Sequence, residues 1–322
     1  MLRILMLLLP MLLPVFNVAG AADSYPQRPI RLLVPVPPGG AADFTARIVG
    51  AKLGELLAQN IVVENRGGAA GTIATELVAN STPDGYTLLL SSSTTHGIAP
   101  VLYKKLPYDA MKNFTHIALI NTIPAVMVVH QSVPANSVKE FVALAKAKPK
   151  AYLFGSSGSG GPPHLLGELF KMISGAPITH VPYKGSGPAV IELASGQLHL
   201  MLDGLPSLLG QIRNGNLRPL ASASAKRSTV LPELPTMAEA GFPGVEGGLW
   251  FGVSGAADLP PAVVERLSKA ILRVAALDDV KERFASVGGF PSPLGPKDYA
   301  EFIRKDMAKW APVVKASGAS VD

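Results

Sequence analysis

Along the chain, apolar positions gather into two kinds of run, and the two kinds alternate. Residues 30–36 are rich in Val, Leu and Ile with little alternation, as in a strand covered on both faces. A Pro-Gly-Gly turn and Asp43 follow. Over residues 44–59, Val49, Leu53, Leu56 and Leu57 then recur at i, i+4, i+7 and i+8, one stripe of a helix. Residues 61–63 read as a short strand, 66–71 as a glycine loop ahead of a helix reaching about Asn80, Pro83-Asp84-Gly85 as a turn, and 86–90 as another buried strand. Strand, loop and helix in repetition mean parallel strands joined by right-handed crossovers.

A second unit begins near Ile120. Residues 125–129 read as a strand, Ser137-Val138-Lys139-Glu140 as a capping box, and Val138, Phe141, Val142 and Ala145 as the stripe behind it. The strand 151–154 runs into Gly155-Ser156-Ser157-Gly158-Ser159-Gly160-Gly161, and the next helix carries Leu165, Leu166, Leu169, Phe170 and Ile173 on one face. Strands at 179–181, 198–202 and 217–222 and a helix at 187–194 complete the unit. After a strand at 249–253 come three helices, the first opened by Pro260 and Pro261 and the last containing Tyr299, Phe302, Ile303 and Trp310. The first sheet otherwise lacks helices for both faces, so these should return to it. The pattern thus predicts 23–124 with 247–322 as domain 1 and 125–246 as domain 2.

The N-terminus reads differently. Arg3 is the only charge before Asp23, an apolar run broken by Pro10 and Pro14 follows, and Ala19-Gly20-Ala21 supplies small residues for cleavage near Ala21 or Ala22. Residues 1–22 therefore read as a signal peptide and the mature protein as exported to an extracytoplasmic space. The run is too short and too proline-broken for a comfortable membrane anchor.

Composition removes several chemistries. With no cysteine in 322 residues there is no disulfide framework, thiolate metal site or cysteine nucleophile. Lys and Arg number 29 against 23 Asp and Glu, and the basic residues are scattered, so no nucleic-acid footprint stands out. The six histidines form no His-Glu-x-x-His, and no pair of carboxylates is conspicuous. No metal and no cofactor is called for.

The chemistry-bearing segments are loops at strand ends. Pro38, Gly39, Gly40, Ala41 and Asp43 stand between a buried strand and a helix, where first-turn N–H groups lack partners and suit an anion. Taken alone, the segment is equally a tight turn with an N-cap at Asp43. Ser156, Ser157, Gly158, Ser159 and Gly160, with His164 after them, repeat that context with added hydroxyls. This loop lacks the Lys-Ser/Thr of a P-loop, carries Pro163 where a dinucleotide fingerprint needs its third glycine, and contains no Gly-x-Ser-x-Gly. Arg66, Tyr183 and Lys184 belong to two further glycine loops. Asp203, at the end of a strand, could accept from a ligand hydroxyl or amine, or cap the next turn.

Taken together these segments resemble a family. Pro38-Gly39-Gly40-Ala41-Ala42-Asp43 with Ala46-Arg47, then Val63-Glu64-Asn65-Arg66, Pro83-Asp84-Gly85-Tyr86-Thr87-Leu88, the Gly155 to Gly160 loop with His164-Leu165 and Glu168-Leu169-Phe170, and Val181-Pro182-Tyr183-Lys184-Gly185 occur in order across the mature chain. This is similar to the periplasmic substrate-binding proteins of tripartite tricarboxylate transporters, the Bug family. The resemblance implies an α/β fold of two domains, periplasmic binding protein type II-like, each a mainly parallel sheet flanked by helices, with the ligand cleft between them. It implies a monomeric binding protein, not an enzyme, that captures a small organic anion (a mono-, di- or tricarboxylate or related compound) and delivers it to membrane permease subunits. Presentation to a sensor kinase is equally compatible. The Gly39-Gly40 and Ser156 to Gly160 loops would face each other across the cleft, with Ser91, Tyr183, Lys184 and Asp203 completing the contacts. Departures from the family pattern include Pro162 and Pro163 before His164, where serine is frequent. The competing reading is a secreted hydrolase of carboxylate esters, using Ser157 or Ser159 with His164. No acidic residue is evident to orient that histidine.

Overall fold

The computed structural model describes residues 25–321. The expected signal peptide, 1–22, lies outside the described residues.

β1 (Ile30–Val34), α1 (Ala41–Leu57), β2 (Ile61–Asn65), α2 (Thr72–Ala79) and β3 (Thr87–Ser92) form the first half. β1 pairs in parallel with β2 on one side and β3 on the other, as the strand–helix alternation requires. A π-helical turn at Ser93–Ile98 and the short α3 (Ala99–Leu102) lead to β4 (Phe114–His130), a strand of 17 residues. Only residues 125–129 of it read as strand from the pattern.

β4 belongs to both halves of the molecule. Its start, Phe114 to Pro124, pairs with β9 (Gly248–Ala256), and β10 (Phe290–Leu294) lies along its other edge. Its end pairs with β7 (Leu200–Gly204) and β8 (Leu217–Ser222). Between these come α4 (Val138–Ala147), β5 (Leu153–Ser156), α5 (Pro162–Ser174), β6 (Thr179–Pro182), α6 (Ser186–Ala194) and α7 (Leu205–Arg213). β5 pairs in parallel with both β6 and β7. The strand order is β2-β1-β3-β9-β4-β7-β5-β6, two α/β lobes sharing one long strand. The chain returns from the second lobe beside the point where it left: Ala125 N–H donates to Gly247 O, and Pro124 is paired with Gly248. Gly248 sits at φ 151°, where a Cβ would run into the Ile123 carbonyl and Pro124.

Strand directions decide where a site can form. β1 and β3 run in the sense of β4, whereas β5 and β7 run against it. The carboxyl ends of the two sets therefore point toward each other. Ser92, ending β3, stands level with Asn121 of β4 through Phe251, and Gly204, ending β7, stands level with Ala125. Four residues of β4 separate those levels, roughly 13 Å at 3.3 Å per residue. Loops that follow these strand ends line the gap between the lobes.

α8 (Pro261–Ala276), α9 (Asp278–Ser286) and α10 (Pro296–Ser317) follow β9. Val263, Leu267, Ile271 and Val274 of α8 bury their stripe in the first-lobe core against Leu32, Ile48 and Phe251. α10 divides its contacts. Tyr299 and Ile303 pack with Leu119 and Trp250, while Trp310, Val313 and Val314 enter the second-lobe core with Phe141, Leu165 and Phe170. Buried Asp306 joins the two: it accepts from Trp250 Nε1 at 2.8 Å and from Trp310 Nε1 at 3.1 Å, and pairs with Lys309 at 2.6 Å. The C-terminal helices thus cover the first lobe and brace it against the second.

Candidate functional site

The first wall of the gap is the β1–α1 loop. Gly39 takes φ 96°, and a Cβ on either Gly39 or Gly40 would meet nothing within 4 Å, so both face open space. Asp43 is not the N-cap that its position suggests. Its carboxylate reaches back to accept the Gly39 N–H at 3.0 Å and pairs with Arg47 at 3.0 Å; Arg47 also donates to Asn65 Oδ1. Burial works against this charge, but the Arg47 guanidinium, the Gly39 N–H and the Asn65 amide hold the carboxyl below its ordinary range. The N-cap is Gly40, which has no side chain to offer, so the first turn of this 17-residue helix has no side-chain cap. Asp43 fixes the turn and leaves the helix end open. Pro38 and Ala41 flank it, Pro38 exposed and Ala41 partly exposed.

Beside this loop stands a segment that the motif reading did not single out. Ser92 and Thr95 cap each other at the start of the π-helical turn that ends β3. The Ser93 hydroxyl, buried at 1% exposure, has no hydrogen-bond partner among the described residues. Gly71 of the loop before α2 packs on both Pro35 and Thr95, which draws the three first-lobe loops together. The run Ser91-Ser92-Ser93-Thr94-Thr95 after a buried strand was the available signal, and π turns recur at functional sites. Ser91 is placed elsewhere: it is fully buried, its hydroxyl 2.9 Å from Ser254 Oγ and 2.8 Å from Tyr299 OH, inside the sheet–α10 packing.

The second wall, the β5–α5 loop, is largely self-satisfied. Gly158 N–H donates to Ser156 Oγ, Gly160 N–H to His164 Nδ1 at 2.9 Å, and Gly161 N–H to the Gly158 carbonyl. Ser156 is fully buried with its hydroxyl 2.7 Å from His180 Nε2. α5 begins with Pro162 and Pro163, so two of its first-turn donors do not exist. The expected cradle of backbone N–H groups is correspondingly reduced here. Ser157 and Ser159 remain, the first partly exposed and the second exposed, with hydroxyls free of hydrogen-bond partners among the described residues.

His164 is a structural member of this loop. Nδ1 accepts from Gly160, so the neutral ring carries its proton on Nε2, which faces Glu168 Oε1 at 3.9 Å. Its ring stacks on His180 with centroids 3.8 Å apart, and Phe154 lies against both. Burial depresses both histidines; for His180 the neighbouring His164 and Lys171 add to it, bringing it to about 4. With its lone pair held by the loop backbone, His164 has none to offer a serine hydroxyl.

Asp203 stands near the end of β7. It lines a narrow crevice with Ala125, Pro162, Pro163, Gly248 and Leu249, where both lobes meet. Oδ1 accepts the Gly204 N–H at 2.7 Å, whereas buried Oδ2 has no hydrogen-bond partner among the described residues. Burial raises its pKa; Ser186, Gly204 and Ser207 work the other way. Tyr183, half-buried, and Lys184, exposed, lie on the β6–α6 loop, tied to the second wall by Tyr183 N–H donating to Ser156 O.

Comparison with known proteins agrees with this architecture. The chain is 38% identical over 302 residues to Protein BugT of Bordetella pertussis, covering 94% of this chain and 93% of that protein. Rpa4515 of R. palustris, solved with adipate, superposes with a TM-score of 0.80 at 35% identity, covering 92% of this chain and 99% of that one. MatC (Rpa3494) from Rhodopseudomonas palustris, with bound malate, gives 0.74 at 30% identity over 90% of this chain and 100% of that one. The family consists of solute-binding receptors, not enzymes, which sets the hydrolase reading aside. The model of the tripartite tricarboxylate transporter family receptor, TctC, matches residues 45–319, and this chain belongs to that family.

Proposed function

We propose that the protein is a periplasmic receptor that captures a small carboxylate between its lobes and hands it to the permease subunits of a tripartite tricarboxylate transporter. The observation that carries this reading is the open end of α1. A long helix points an uncapped N-terminus, preceded by two glycines in open space, into the gap where carboxyl ends of strands converge. One helix end contributes about 0.3–1 kcal/mol to an anion, and at most about 2 when partly buried. Micromolar binding needs about 8 kcal/mol. Charge-assisted hydrogen bonds, about 1.5–3 kcal/mol each, supply the remainder. The donors available are the α1 first-turn N–H groups and the hydroxyls of Ser93, Ser157 and Ser159.

Closing the lobes over the ligand excludes water and strengthens each of these bonds. The hinge we assign is the double crossing at 124/125 and 246/247, where two chain segments pass side by side. The adipate and malate held by the related proteins support a carboxylate as the ligand class here. The test is native mass spectrometry of the purified mature protein, followed by calorimetry with a panel of mono-, di- and tricarboxylates. A bound carboxylate, or micromolar affinity for one panel member, is expected. A protein that carries no small anion and binds none of the panel would refute the reading.

A further inference from the structure

Asp203 presents a chemical demand that a plain carboxylate cannot meet. It is 7% exposed, and Oδ1 is already engaged by Gly204 N–H. Oδ2 is buried without a hydrogen-bond partner among the described residues. Pro162 and Pro163 in the crevice wall have no N–H to give, and Leu166, Leu202 and Leu249 are apolar; the nearby Ser186 hydroxyl eases the burial of the carboxyl but makes no hydrogen bond to Oδ2. The Ser207 hydroxyl donates to Gly204 O, so its proton is committed. A buried carboxylate oxygen left in this state is costly, and what fills the gap between the lobes is positioned to satisfy it.

The size of the space narrows the choice. The crevice beside Asp203 encloses about 10 Å³, room for one water-sized group. A hydroxyl or an ammonium fits. A second carboxylate is both too large and of the same sign. We infer that the ligand carries, next to its carboxylate, a small hydrogen-bond donor that enters this crevice and bonds Asp203 Oδ2, so that the protein selects hydroxy- or amino-substituted carboxylates over unsubstituted ones. This rests on the proposed carboxylate capture and specifies the side of the ligand that faces the second lobe. The α1 end takes the acid; Asp203 reads the substituent. Rejecting a ligand that lacks the donor follows the general rule that a buried polar group left unpaired discriminates strongly.

Calorimetry on the mature protein with matched sets tests this: succinate against malate and aspartate, and adipate against 2-aminoadipate. The substituted member of at least one set should bind at least about tenfold more tightly than its unsubstituted parent. In Asp203→Asn, which keeps an acceptor for Gly204 N–H, that preference should shrink to within about threefold. Equal affinities within both sets in the wild-type protein overturn the inference and leave carboxylate capture standing. A preference retained in Asp203→Asn overturns it also. Failure of every compound to bind removes capture and inference together. A gain in affinity for unsubstituted diacids as pH falls, lost in Asp203→Asn, would instead make Asp203 a protonated donor to a second carboxylate and overturn the inference.

Discussion

The two loops that we assign to the gap between the lobes have the same grammar and different chemistry. Each follows a buried parallel strand, each is built on glycines, and each opens a helix. In the β1–α1 loop, Asp43 takes the strain of the turn by holding Gly39 and Arg47, and the helix end stays open. In the β5–α5 loop, Ser156, His164 and the Gly158 carbonyl take up three of the N–H groups, and two prolines remove more. The first wall is a donor surface, and the second is a shaped rim that offers hydroxyls. Glycine content alone therefore does not make an anion site; what matters is whether a neighbouring side chain has already claimed the backbone.

The largest expected effect breaks the donor wall. In Gly40→Val the branched side chain enters open space over the α1 end, so the fold is retained and the melting temperature stays within about 2 °C. Affinity for the tightest-binding carboxylate should fall about 10- to 100-fold, the loss of one or more charge-assisted bonds. Normal affinity in calorimetry would remove this loop from the site.

Asp43→Ala separates shaping from binding on the same wall. Losing hydrogen bonds to a buried charge should cost about 1–3 kcal/mol of stability at pH 7, read by urea denaturation. The sign with pH follows from a carboxyl held below its unfolded value. The difference between wild type and variant is full above pH 4 and shrinks as the pH falls through the lower folded value. A gap that widens on acidification would contradict the assignment.

Ser157→Ala probes the second wall more gently. One neutral hydroxyl lost from the rim should weaken binding by about 2- to 10-fold without a change in melting temperature. A loss as large as that in Gly40→Val would erase the contrast between the walls.

The smallest effect concerns only the rim's support. His180 titrates near 4 when folded, below its unfolded value near 6.5, so the folded state resists its protonation. Stability should be unaffected above about pH 6.5 and decline toward pH 4. His180→Asn should flatten that decline by a few degrees of melting temperature. Identical pH slopes in the two proteins would show that the stacked histidines carry no such load.

Much of this molecule was legible in its pattern. The strands now seen as β1, β3 and β5 and the stripes of α1, α5 and α8 announce themselves because each buries a face made of neighbours in sequence. The first half of β4 did not, since its apolar residues Ile117, Leu119 and Ile120 are interspersed with His116 and Asn121, whose burial depends on distant partners. β10, Phe-Pro-Ser-Pro-Leu, has prolines at two of five positions, tolerable because it pairs with β4 alone. The site followed the same rule. Glycines at strand ends marked both loops, whereas the fate of their hydrogen bonds rests on pairs such as Ser156 with His180, 24 residues away, and the same kind of distant pairing, with Tyr299 208 residues away, takes Ser91 out of the site. Local sequence carries the backbone's options, and tertiary neighbours choose among them.

Both tryptophans of the chain donate to the one carboxylate of Asp306, one from β9 at the crossing between the lobes and one from the brace helix. All indole emission from the protein therefore arises at a single junction. The closure proposed above should register there as a change in ultraviolet fluorescence, with no dye attached and no residue replaced.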